Sequence, residues 1–165
     1  MSRQIEVSLD KRGVRCVARL LDDQAPRTCA ALWNALPQGG QAYHAKYARN
    51  EIYALVPSFA DPEPGHENTT ITPLPGDLVY FGFEPWQLAP ASHGYQDPAL
   101  HSGRSVDLAV FYNRNNLLLN PDFGFVPGNV WATIESGLDE LAEACQDLWL
   151  NGAAGETLSF RRIDP

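Results

Sequence analysis

The chain is short of positive charge. Lys and Arg number 12 against 20 Asp and Glu, a net charge of −8, and no Lys/Arg run occurs. Binding to nucleic-acid phosphates or to anionic lipid needs clustered cations, so neither partner is expected. Cysteine is scarce as well. Cys16, Cys29 and Cys145 lie far apart, form no C-x-x-C pair, and each sits in an apolar run. Buried thiols are expected there rather than disulfides or metal ligands. No apolar run approaches the ~20 residues that span a bilayer, and the opening Met-Ser-Arg-Gln-Ile-Glu lacks the apolar stretch of a secretory leader. A cytoplasmic protein without a membrane span is the expectation. Nucleotide and hydrolase signatures are also missing: there is no P-loop, no G-x-G-x-x-G and no G-x-S-x-G. The four histidines, His44, His66, His93 and His101, are scattered without ligand spacing, so no metal site and no cofactor are expected.

Apolar residues are present in quantity, 44%, together with 13 Gly and 13 Pro. That composition suits one β-rich domain over residues 1–165 with many fixed turns. Ile5, Val7 and Leu9 alternate with polar residues, and Val14–Leu21 alternates again after a Gly13 turn, which predicts a hairpin. Arg15 and Arg19 fall on its outer face. Pro26 suits the first turn of a helix, with Asp22 and Asp23 favouring its positive end. Cys29, Leu32, Trp33 and Leu36 give that helix one buried face, and Gln38-Gly39-Gly40 is read as its stop. Strands are predicted at 78–83, 106–112, 130–134 and 157–163. A second helix is predicted from Ser136-Gly137-Leu138-Asp139, a capping-box-like start, with Leu138 to Trp149 on its apolar face and Asn151-Gly152 as its stop.

The unusual stretch is His44–Phe59, where polar residues run directly into an apolar strand. In strand geometry Glu51, Tyr53 and Leu55 share one face, with Arg49 in line if the strand extends back. An Arg–Glu pair beside a tyrosine hydroxyl can hold a small polar ligand by charge-assisted hydrogen bonds; the same residues can equally form a local ion pair at a barrel mouth. Two long loops, 57–76 and 84–104, suit lids, or the interface of a homo-oligomer. Trp86 in the second is a ligand contact or a plug on the barrel end. Phe111 and Asn113, at and just beyond the end of the 106–112 strand, complete the candidate ligand-binding set of Arg49, Glu51, Tyr53, Trp86, Phe111 and Asn113.

Element order and local motifs resemble the cyclophilins. Leu20-Leu21-Asp22-Asp23-Gln24-Ala25-Pro26-Arg27-Thr28-Cys29 resembles their strand end, acidic turn and first helix. Leu55-Val56-Pro57-Ser58-Phe59 resembles their Ile-Ile-Pro-Gly-Phe segment, and Asn129–Leu138 looks like their late strand and turn. More closely, Ala-Pro-Arg-Thr-Cys, Asn-Glu-Ile-Tyr, Pro-Gly-Asp-Leu and Trp-Ala-Thr-Ile-Glu-Ser-Gly-Leu resemble a bacterial cyclophilin-like family known as domain of unknown function 3830. The resemblance implies a mainly β fold, a cyclophilin-like closed β-barrel of about eight strands capped by two α-helices. It does not carry prolyl isomerase activity. With Pro57 and Phe59 in register, Ala54 stands where the cyclophilins keep a catalytic arginine, and their strand glutamine is lost near Ala109. A small polar metabolite is the expected ligand; a residual peptidyl-prolyl isomerase or proline-peptide binder and a homo-oligomeric interaction module are the alternatives.

Overall fold

The computed structural model of the chain describes residues 2–88 and 93–164. Strands β1 (Gln4–Leu9) and β2 (Val14–Leu20) form the predicted hairpin, Val7 opposite Cys16. Their inward residues join one core, while Arg15 and Arg19 face outward and pair with Glu6 and Glu135. Helix α1 (Pro26–Ala35) begins at its proline and buries Thr28, Cys29 and Leu32. It carries no acid in its first turn; Asp22 pairs with Arg3 instead of serving the helix dipole. Trp33 is only half buried. It packs against the main core, and the guanidinium carbons of Arg3 and Arg162 lie 5.1 and 4.8 Å from its ring centre on the outer side.

Gln38-Gly39-Gly40 does not merely end α1. It starts strand β3 (Gln38–Gln41), which pairs with the last strand, β12 (Thr157–Arg162). A Cβ on Gly39 would stand 2.8 Å from the Leu158 carbonyl oxygen and 3.2 Å from the Ser159 Cα. Glycine is what lets the two backbones approach this closely. After buried Ala42 the same stretch continues as β4 (Tyr43–His44), which pairs with β5 (Glu51–Pro57). The remaining long strands are β7 (Asp77–Phe83), β8 (Ser105–Phe111) and β11 (Gly128–Ser136), with short pieces β6 (Thr69–Thr70), β9 (Leu119–Asn120) and β10 (Gly124–Phe125).

The main sheet runs β3-β12-β1-β2-β11-β7-β8-β5-β4, with every pairing antiparallel. Its two ends, β3 and β4, are halves of one bent stretch, so the sheet curls back on itself. A Cβ on Gly40 would meet the Leu55 carbonyl oxygen of β5 at 3.4 Å, so the two edges lie close across the remaining gap. Among the described residues the result is a nearly closed barrel of nine strands, mainly β, with two helices, as the cyclophilin resemblance implies. Counting the bent stretch once recovers the expected eight. Helix α2 (Leu138–Asn151) buries Leu141, Ala144, Cys145 and Leu148, but it has no capping box. Ser136 ends β11, and Gly137 makes the turn at φ 85°, a left-handed conformation. Trp149 is exposed rather than on the buried face. All three cysteines are free and buried.

The barrel has two buried sides along β5, β8 and β7. Inside, Ile52, Ala54, Val56, Leu108 and Val110 join the main core. Outside, the loops cover a second layer: Val79, Phe81, Ala109, Phe111, Leu118 and Val130 in one cluster, and Leu55, Leu88 and Leu100 in another. All seven residues of β8 are therefore buried, which explains its almost unbroken apolar run.

Candidate functional site

The alternation of β5 places Glu51, Tyr53 and Leu55 on the outer side. Antiparallel pairing brings Asp107, Ala109 and Phe111 of β8 beside them, with Leu55 opposite Asp107 and Glu51 opposite Phe111. Phe81 of β7 lies on the far side of Asp107. The loops do not close completely over this face. They leave a cavity of 680 Å³ with Glu51, Tyr53 and Asp107 among its lining, between segment 93–97 and a further loop, 112–127, that carries Leu118, Phe123 and Val126.

Two acids therefore occupy a covered, largely apolar face. Glu51 is 5% exposed and Asp107 7%. Among the described residues neither belongs to any ion pair, and the Oδ1 atom of Asp107 is buried with no hydrogen-bond partner. Burial pushes the Glu51 carboxyl up to about 8, and burial, with the Glu51 charge added, raises Asp107 well above the carboxylate range. Ala109 lies between them on the sheet and contributes only a methyl group.

Tyrosines line one side. The Tyr43 ring stacks on Tyr53 at 5.4 Å and meets Tyr95 edge-on at 5.2 Å. The hydroxyls of Tyr53 and Tyr95 hydrogen-bond, tying loop 84–104 to the sheet. His93 lies parallel to Tyr95 at 6.0 Å, and its Nε2 is buried without a partner among the described residues. His44 also reaches the cavity but is already fully occupied. Its Nδ1 bonds the Ala45 carbonyl at 2.8 Å and its Nε2 the Tyr112 hydroxyl at 2.7 Å, and Gln146 donates to that hydroxyl at 2.9 Å. Burial lowers its pKa, so it serves as a neutral structural side chain.

Of the six residues proposed from sequence, Glu51 and Tyr53 line the cavity. Arg49 does not join them. It is exposed in the turn between β4 and β5, with φ 80°, so the strand starts two residues too late to carry it in line with Glu51. Phe111 is fully buried under the loops, and Asn113 is exposed, its Oδ1 accepting from the Arg114 amide at 2.8 Å. Trp86, 66% exposed, touches the cavity only through Phe123, whose ring it meets edge-on at 5.8 Å. Loop 57–76 is pinned to the barrel: Asn68 donates to the Val130 carbonyl at 2.8 Å, Asn129 to Gly65 at 2.7 Å and Arg27 to Pro64 at 2.7 Å. Only Pro57 of that loop reaches the cavity, so the cover is segment 93–97 together with Leu118, Phe123 and Val126. The residue missed from sequence is Asp107. Its signal was a lone acid in the otherwise apolar Val106–Phe111 strand.

Fold and site together define a cyclophilin-like barrel whose outer face carries a loop-covered acidic cavity. Residues 7–160 match the family described as protein of unknown function (DUF3830), and the chain belongs to that family. Among solved structures it is similar to McbB in complex with tryptophan, with a TM-score of 0.62 and 20% identity over 98% of this chain. The chain spans 45% of the McbB length, and the likeness is one of fold. It is also matched by the Mimivirus cyclophilin at a TM-score of 0.43 and 14% identity, over 98% of this chain and 87% of that one. No curated protein matches it. Among the described residues no group of His, Cys, Asp and Glu is arranged to hold a metal, and no helix is long and apolar enough to cross a membrane.

Proposed function

We propose that this protein binds, or acts on, a small polar metabolite in the cavity on the outer face of the barrel. The observation that carries the reading is Asp107. A buried carboxyl oxygen without a partner is costly, and this one stands on the floor of a cavity rather than inside packed core. A cavity of 680 Å³ falls within the range of small-molecule sites, roughly 300–1,000 Å³. Glu51, Tyr53 and Tyr95 supply further polar atoms on otherwise apolar walls, the pattern that fixes a ligand's orientation.

Prolyl isomerisation is not part of the proposal. Ala54, at the position the cyclophilin resemblance gives to the catalytic arginine, faces the barrel interior, and its outward neighbours Tyr53 and Leu55 are uncharged. The test is a thermal-shift screen against a metabolite collection. A compound that binds only the folded protein must raise the melting temperature, and the shift must shrink in Asp107→Leu. A screen in which no compound raises it, or hits that shift the variant equally, would overturn the reading.

A further inference from the structure

We infer that the ligand is an amine, bound as its cation by the Asp107 and Glu51 carboxylates and carried on a flat, largely apolar body. This rests on the cavity being a ligand site and names what it selects. The acids are the first support. Asp107 and Glu51 are both more than nine-tenths buried, both line the cavity, and neither meets a cation among the described residues. Elsewhere in the molecule a buried acid is matched. Glu156, with a fully buried side chain, receives Arg12 at 2.8 Å and the backbone amide of Lys11 at 2.8 Å. The cavity floor departs from the chain's own pattern, and a ligand cation supplies what is missing there.

The walls are the second support, and an independent one. Tyr43, Tyr53 and Tyr95 form a connected aromatic surface beside the acids. Ring faces attract a cation, and ring edges and faces pack against a flat apolar body. Lys46 also borders the cavity but is exposed, so it stands in water rather than on the floor. A carboxylate or phosphate ligand finds no buried cation among the described lining residues, whereas an ammonium group stabilises the charged form of both acids and takes the place of the protons they hold in the free protein. A neutral hydroxyl could bond the Asp107 oxygen, but without the charge assistance that an ammonium group brings.

The test compares three probes that share a body and differ in the head: phenethylamine, phenethyl alcohol and phenylacetate, titrated calorimetrically into the intact protein. The expected result is that the amine binds roughly tenfold tighter than the alcohol and that phenylacetate does not compete. Asp107→Asn keeps the shape and removes the charge, so it should erase the amine's advantage while alcohol binding persists. Glu51→Gln gives the same readout should the first variant fold poorly. Equal or tighter binding of the alcohol or the acetate overturns the amine and leaves the cavity as a ligand site. Failure of all three probes overturns the amine proposal, and a metabolite screen that also finds nothing then removes the cavity reading with it.

Discussion

Among single residues the decisive pair is Glu51 and Asp107. Both carboxyls hold their proton more tightly in the folded protein than in the unfolded chain, because burial disfavours the charged form. The folded state therefore binds more protons than the unfolded state, and stability must fall as pH rises. The contribution is complete below the ordinary carboxylate value, about 4, and is lost as pH climbs toward the Glu51 value of about 8. Melting temperatures measured across that window should decline in the native protein. They should decline less in Glu51→Gln and Asp107→Asn, which remain uncharged throughout. A flat native profile would mean that the acids are solvated or paired. Glu51 was legible in the sequence because it introduces a strand after a polar turn. Asp107 was not, since one acid within an apolar strand fits a central position as readily as a site. Only cross-strand register puts it on the same face as Glu51. Arg49 was misplaced for a local reason: its left-handed backbone ends the strand, and side-chain alternation holds only within a strand. The amine-binding readout described above should accordingly be unchanged in Arg49→Ala.

Among elements, the bent stretch from β3 to β4 and loop 84–104 decide the site. The periodicity of β1, β2 and both helices was plain in the sequence, because each buries one face against a single core. In the sequence the glycines at 39 and 40 read as a helix stop, since a Gly pair signals a break before it signals a close approach. They are where the barrel nearly closes. Gly39→Ala should force β3 away from β12 and cost about 1–3 kcal/mol, read by denaturant unfolding. Loop 84–104 is held on the sheet through Tyr53 and Tyr95. Burial raises both phenols, Tyr95 to about 12, so the pair is neutral at physiological pH. Tyr53→Phe should loosen segment 93–104 at a global cost of about 1 kcal/mol, seen as faster hydrogen exchange in that segment. Unchanged exchange there would show that the apolar contacts of Leu88 and Leu100 hold the loop alone.

At the scale of the molecule, two-sided burial of the β5-β8-β7 sheet turns a barrel wall into a site. A sheet face open to water would present polar side chains; here the middle of the face is apolar except at Glu51, Tyr53 and Asp107, and loops cover it. The barrel was legible from element order and from the motifs that resemble the cyclophilins, since strand and helix periodicities depend on local sequence. The cavity was not, because it is made by residues from β4, β5, β8 and two loops that meet only after the sheet curls. The same geometry puts Ala54 inside the barrel. The protein should therefore leave the cis–trans exchange rate of a proline test peptide unchanged even at high protein concentration, and clear acceleration would restore the isomerase alternative.

The most direct measurement is the NMR titration of the Asp107 and Glu51 side-chain carboxyl carbons in the free protein, assigned with Asp107→Asn and Glu51→Gln. The expected result is that both titrate well above the ordinary carboxylate range, as acids held in an apolar cavity without a cation must. Titration of both within the ordinary range would contradict the unpaired acidic floor on which the ligand site and its preference for an amine depend.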